Sequence, residues 1–179
     1  RLGPFARALR STCHARVVAE IGVGLGPLSL LALQAGARRV YGIEVDPRTL
    51  QCTVELLSAH GFGPDRFVPL IGRSDEIDLP EPVDVLVGEL IDSIGIGENA
   101  GYYLDDARRR WVRPGGVVIP GRMRVDVALA ASAQLARERR FWSEVLPERH
   151  GLDYAPIVDR LSSPRRTLRV APDEVLSTT

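Results

Sequence analysis

The sequence predicts an α/β fold, an open parallel sheet with helices on both faces, followed by a second, β-rich unit. Three observations carry that expectation. An apolar, β-branched run at Val17-Val18-Ala19-Glu20-Ile21 breaks into the alternating glycines Gly22, Gly24 and Gly26 and then Pro27. That is the pattern of a strand ending in a tight turn at a helix start. A second apolar run closes on Glu44, which follows Gly24 by 44 − 24 = 20 residues. Strand-like and helix-like segments then alternate, as a parallel sheet with crossover helices requires.

Each element has its own warrant. Residues 1–12 carry Leu2, Phe5 and Leu9 at helical spacing, an apolar stripe for core packing. After the first strand, Pro27 opens a helix through Leu28, Leu30, Leu31 and Leu33 that stops at Gly36, with proline at its entry and glycine at its exit. Arg38 to Glu44 is the second strand. Asp46 caps the next helix, Pro47 takes its first position, Leu50, Val54 and Leu57 line one face, and Gly61 ends it. Phe67 to Ile71 and Val83 to Gly88 read as further strands, Tyr102 to Val112 as a helix, Pro114-Gly115-Gly116 as a turn, and Val117 to Ile119 as a strand ending at Pro120. Beyond it Val125 and Val127 alternate with polar residues, Ala130 to Val145 reads as a helix, and Thr167 to Val170 as a strand. The boundary is expected at Pro120 to Gly121, with residues 121–179 too short to close a barrel.

Composition narrows the function. The 179 residues suit one domain, or one domain and part of another. Lys+Arg and Asp+Glu are both 23, so no global field draws the chain to nucleic acid or to a membrane. All the basic residues are arginine, and Arg108-Arg109-Arg110 and Arg137-Glu138-Arg139-Arg140 read as solvated helix faces. Cys13 and Cys52 are too few for a metal site or a disulfide framework, which makes a reducing, cytoplasmic setting the expectation. There is neither an apolar run of membrane-spanning length nor a leader pattern in these residues.

The glycine spacing then separates cofactors. A dinucleotide turn wants Gly-x-Gly-x-x-Gly to hold a pyrophosphate, whereas here Pro27 stands where the third glycine belongs. Glu20, just before the turn, would set a carboxylate near any pyrophosphate but could face a cation or an amino group. Glu44 can accept ribose hydroxyls. S-adenosylmethionine, a sulfonium nucleoside, satisfies all three. In open α/β sheets ligands bind beyond the carboxyl ends of the strands, so Glu20, Glu44, Asp75 and Glu89 are expected to rim one crevice. Glu89 and Glu98 lie 98 − 89 = 9 residues apart around Gly95 and Gly97, a loop able to bring the two carboxylates together. Two close anions call for a cation between them, and a planar guanidinium suits both. The plainer alternative is two acids bordering a solvated loop.

With these motifs in place the chain resembles the protein arginine N-methyltransferase family of class I S-adenosylmethionine-dependent methyltransferases. The resemblance runs through Val17 to Leu30, Val40 to Pro47, Ile71 to Pro80, Val83 to Glu98 and Trp111 to Pro120, with Phe141-Trp142, His150-Gly151-Leu152-Asp153 and Val170-Ala171-Pro172 after them. It implies a Rossmann-like methyltransferase sheet over residues 1–120 and, over 121–179, the beginning of a β-barrel-type second domain. It implies that Gly22, Gly24 and Gly26 wrap the methionine portion of S-adenosyl-L-methionine, that Glu44 binds the ribose, that Ser74 with Asp75 contacts adenine, and that Arg1 pairs with the cofactor carboxylate, the alternative for Arg1 being a frayed terminal side chain. Glu89 and Glu98 would be the catalytic double-glutamate loop, and a homodimer is inherited with the family. Departures stand beside these matches. Leu90, Ile94 and Ile96 occupy a loop that is usually aromatic, the family's Thr-His-Trp loop is missing from these residues, and His14, His60 and His150 do not replace it. The expected reaction is methylation of a guanidino group, on a protein arginine or, given the aliphatic loop, on free arginine or another small guanidine. A module that binds cofactor or partner without turnover is the alternative from another class.

Overall fold

The computed structural model describes residues 2–91, 98–124, 128–162 and 175–178. The chain forms two compact units, Arg1–Met123 and Arg124–Thr179. In the first, the elements run α1 (Leu2–Thr12), β1 (Val17–Ile21), α2 (Pro27–Gln34), β2 (Arg39–Glu44), α3 (Pro47–Ala59), β3 (Phe67–Ile71), a single 3₁₀ turn (Ser74–Glu76), β4 (Val83–Gly88), α4 (Ala100–Trp111) and β5 (Val112–Ile119). The strands make one parallel sheet in the order β3-β2-β1-β4-β5. Chain order reverses between β1 and β4, the place where open α/β sheets leave a crevice for ligands.

Side chains of β1 alternate between two apolar layers. Val18 joins Leu9, Leu28, Leu33, Leu57 and Phe67 under α1, α2 and α3, whereas Val17, Ala19 and Ile21 join Tyr41, Leu86, Ala107 and Trp111 under α4. All five β1 residues are buried, as expected of a central strand covered on both faces. Asp84 ties the bottom of the sheet, accepting the Val17 N–H at 2.7 Å and pairing with Arg113.

Several boundaries shift for local reasons. Leu2 is exposed, so the stripe of α1 that meets the core is Phe5 and Leu9. Pro114-Gly115-Gly116 does not end an element. It sits inside β5, where the register slips from Val83↔Val112 to Val85↔Val117 and Gly115 takes φ +79°. The extra residues form a bulge, and glycine is the residue that tolerates it.

The second unit holds β6 (Ala128–Ala130), α5 (Ala133–Arg140), a π-helical turn (Phe141–Val145), α6 (Leu146–His150), a 3₁₀ turn (Ala155–Ile157), α7 (Val158–Ser162) and β7 (Val175–Thr178). Ser132 caps α5 by accepting from the Leu135 N–H at 3.3 Å, so the helix starts three residues later than its sequence pattern suggests, and it continues past Val145 until Gly151 at φ +67°. Its β content among the described residues is the antiparallel pair β6 and β7. The strand expected at Thr167 to Val170 and the alternation at Val125 and Val127 lie outside the described residues. No helix of the described residues is long and apolar enough to cross a membrane.

Candidate functional site

A cavity of about 410 Å³ opens at the carboxyl ends of β1, β2, β3 and β4, within the size range of small-molecule sites. Two of the three glycines after β1 form part of its lining. Gly22, Gly24 and Gly26 have φ of +69°, +55° and +80°, left-handed conformations that cost an L-residue about 1–2 kcal/mol. Gly22 and Gly24 line the cavity. A Cβ on Gly24 would meet nothing within 4 Å, so the space over it is open to a ligand. The third glycine works differently. Gly26 is the N-cap of α2, and a Cβ there would sit 2.6 Å from Thr53 Cγ2. It lets two helices approach and is not among the cavity-lining residues.

Glu44, closing β2, is held by backbone donors. Its Oε1 accepts the N–H groups of Val45 at 2.8 Å and Asp46 at 3.1 Å, and its Oε2 accepts that of Gly24 at 2.9 Å. A carboxylate has about four acceptor positions, so one direction on Oε2 stays open toward the cavity that Glu44 lines. Asp46 accepts from the Arg48 N–H at 3.1 Å, capping α3.

Beyond β3, Ser74 lines the cavity, 3% exposed, with no hydrogen-bond partner for its Oγ. Its loop is braced from α4, where Arg110 donates to the Ser74 carbonyl at 2.5 Å and the Ile77 carbonyl at 2.6 Å. Arg73 and Tyr103 complete this wall, the guanidinium standing 5.9 Å over the tyrosine ring. At the end of β4, Glu89 lines the same cavity and is half-buried. Glu98, exposed, joins it from the residues before α4, and Leu90 is also part of the lining.

The crevice therefore gathers Gly22, Gly24, Glu44, Ser74, Glu89 and Glu98 from five separate stretches of sequence. Two of the four acids expected on its rim stand elsewhere. Glu20 is 1% exposed and points under α2, where it accepts hydrogen bonds from the Ser29 hydroxyl and backbone N–H. It shares the face of β1 that holds Val18, which α2 covers, so it serves the unpaired amides of the helix start and offers no charge to a ligand. Burial pushes its carboxyl up to about 8, against the lowering effect of the Ser29 bonds. Asp75 is occupied by Arg73, whose Nε and Nη2 donate at 3.1 and 2.8 Å, with the Tyr102 hydroxyl at 3.4 Å. The Arg73 hydrogen bonds hold its carboxyl below the usual carboxylate range. It is absent from the cavity lining. Arg1, and Ile94, Gly95, Ile96 and Gly97 of the glutamate loop, lie outside the described residues.

Sequence reading missed Thr53, Arg73 and Tyr103. Thr53 had a signal: it falls within the stripe of α3 marked by the buried Leu50 and Leu57, a polar residue at a core position. Tyr103 had none, because α4 begins at Ala100 and nothing local says which of its first residues meets Arg73 in the turn after β3.

Comparison with known proteins closes the identification. No family model matches the chain. It is 31% identical over 164 residues to a probable histone-arginine methyltransferase CARM1 of Oryza sativa subsp. indica, covering 88% of this chain and 30% of that protein. It is 30% identical over 159 residues to protein arginine N-methyltransferase 6 of Danio rerio, covering 89% and 44%. The chain thus spans less than half the length of these curated relatives. Among solved structures it superposes on the Trypanosoma brucei PRMT1 enzyme-prozyme heterotetrameric complex with AdoHcy with a TM-score of 0.74 at 26% identity, covering 88% of this chain and 49% of that one. Arabidopsis thaliana protein arginine methyltransferase 10 shares the fold, with a TM-score of 0.72 at 24% identity over 90% of this chain and 50% of that one. Together with the parallel sheet and its glycine turn, these comparisons make the chain a homologue of the protein arginine N-methyltransferases, which are class I S-adenosylmethionine-dependent methyltransferases.

Proposed function

We propose that the protein transfers a methyl group from S-adenosyl-L-methionine to a guanidino nitrogen of arginine in a protein substrate. The observation that carries the reading is the presence of Glu89 and Glu98 in the lining of the cavity that Gly22, Gly24 and Glu44 also line. The cofactor fits what lines it: open space over Gly24, an acceptor direction on Glu44, and an unpartnered Ser74 hydroxyl. When bound it supplies a methyl group on a sulfonium, an electrophile for in-line displacement. Residues 1–120 act as the cofactor domain and 121–179 begin the substrate and dimer domain.

The roles divide by chemistry. Gly22 and Gly24 let the methionine portion approach the backbone, Glu44 accepts from the ribose, and Ser74 reads the adenine edge. Asp75 joins it if the Arg73 pair opens. Glu20 and Gly26 support from behind the turn, and Arg1 pairs with the cofactor carboxylate. A guanidinium keeps its proton at neutral pH and is a weak nucleophile. Glu89 and Glu98 accept its N–H groups, turn the fork so that one nitrogen faces the methyl, and hold charge away from that nitrogen. As the N–C bond forms and the S–C bond breaks, the attacking nitrogen sheds a proton to a carboxylate oxygen of the pair.

Leu90 in the lining, an aliphatic residue beside Glu89, favours a second reading, methylation of free arginine or another small guanidine. The family relationship favours association with a second copy, and the two free thiols, Cys13 and Cys52, favour a cytoplasmic setting. Incubating the intact protein with methyl-labelled cofactor, first with a peptide mixture and then with free arginine, separates the possibilities. Label in peptide supports the proposal, label in the small molecule supports the second reading, and label in neither leaves a binding module and overturns both.

A further inference from the structure

We infer that Thr53 is a positioning residue for the cofactor turn, fixing the Gly24 backbone from α3 and so setting cofactor affinity without touching the cofactor. The inference rests on reading the cavity as the S-adenosylmethionine site. Thr53 is buried, and its Oγ1 donates to the Gly24 carbonyl at 2.7 Å across 29 residues of chain. The N–H of the same glycine donates to Glu44 Oε2 at 2.9 Å. Both polar groups of Gly24 are thus tied to side chains at the two ends of one stretch, residues 44–53. Nothing stands within 4 Å of where a Cβ on this glycine would be, so no packing on that side holds it. Hydrogen bonds do.

The same side chain sets the neighbouring glycine. Its Cγ2 occupies the space where a Gly26 Cβ would stand, 2.6 Å away. The methyl seats Gly26 and the hydroxyl seats Gly24, which makes threonine, with one group of each kind on Cβ, the side chain suited to the position. A buried hydroxyl costs free energy unless it is hydrogen-bonded, so the bond to Gly24 also satisfies Thr53. Glycines in left-handed conformations have many alternatives open to them. Without the hydroxyl the turn spends only a fraction of its time in the binding shape, and the apparent dissociation constant rises by the inverse of that fraction.

The test uses Thr53→Val, which keeps the Cγ2 methyl and replaces the hydroxyl with a second methyl, and the pair Thr53→Ser and Thr53→Ala, which lack the Cγ2 methyl and differ in the hydroxyl alone. Calorimetric affinity for S-adenosylhomocysteine is measured on the intact protein, with ligand-free melting as the control for folding and methyl transfer at saturating cofactor as the control for chemistry. Thr53→Val is expected to bind about 3- to 10-fold more weakly, the effect of one hydrogen bond, with kcat unchanged. Thr53→Ser is expected to bind about 3- to 10-fold more tightly than Thr53→Ala by the same measure. Should the valine variant not fold, the serine and alanine comparison decides alone. Equal affinity of the serine and alanine variants, or a loss confined to kcat, overturns the role of Thr53. Absence of binding by the unmodified protein overturns the cofactor reading itself, and this inference with it.

Discussion

The two ends of the cavity are built on different principles. At the end proposed for the nucleoside the wall is backbone held by side chains. Glu44 grips three N–H groups, Thr53 the Gly24 carbonyl, and Arg110 the carbonyls of Ser74 and Ile77. At the end proposed for the acceptor the lining is carboxylate side chains, with Glu89 half-buried and Glu98 exposed. On the proposed reading, a preformed end binds what fits its fixed shape, and the acidic end meets a cationic substrate through charge. Substitutions at the first should therefore change cofactor affinity, and substitutions at the second should change turnover.

The sharpest way to break that division is Glu89→Gln. Turnover should fall by about 10³-fold, the scale of a lost acid–base and orienting group, while affinity for S-adenosylhomocysteine stays within about twofold of the unmodified protein. A fall in affinity matching the fall in rate would merge the two ends. The converse substitution, Glu44→Ala, should weaken cofactor binding by roughly 10- to 100-fold, since hydrogen bonds to charged groups contribute about 1.5–3 kcal/mol. Saturating cofactor should restore most of the rate.

How far the site was legible in the chain follows the same divide. Asp46 and Pro47 announced α3, and the 20-residue step from Gly24 to Glu44 brought both into one hydrogen bond, because local capping and strand length are written in consecutive residues. Gly26 looked equivalent to Gly22 and Gly24, yet its reason for being glycine is Thr53, 27 residues away. Glu20 looked like a rim acid, although its parity with Val18 already put it on the face that α2 covers. The Arg73 pairing that takes Asp75 out of the lining depends on a turn whose geometry no periodicity reports. Pro114-Gly115-Gly116 has the composition of a turn but becomes a bulge, because β4 pairs on both sides of it.

Two smaller effects sharpen the account of the nucleoside end. Gly26→Ala should lower stability by about 1–3 kcal/mol, through a left-handed φ and a forced contact with Thr53. Chemical denaturation checks this, and a variant of unchanged stability would return Gly26 to a ligand role. Glu20 makes a prediction in pH. Its carboxyl titrates near 8 in the folded protein against 4.5 as its ordinary value, so between those values the folded chain holds a proton that the unfolded chain has lost. Unfolding then releases that proton, and stability falls as pH rises through this window, by at most about 1.4 kcal/mol per pH unit, levelling off above 8. Glu20→Gln should flatten the slope. Denaturation of both proteins at pH 5.5, 6.5 and 7.5 measures it, and parallel slopes would mean that Glu20 is ionised in the fold.

The central claim, a nucleoside pocket preformed at the ends of β1 and β2 and unsuited to a pyrophosphate, is tested most directly by calorimetry on the intact protein with S-adenosylhomocysteine and with NAD. One S-adenosylhomocysteine bound per chain, lost progressively from Thr53→Val to Glu44→Ala, with no heat from NAD, is the result expected. Binding of NAD in place of S-adenosylhomocysteine, or of neither, would contradict it.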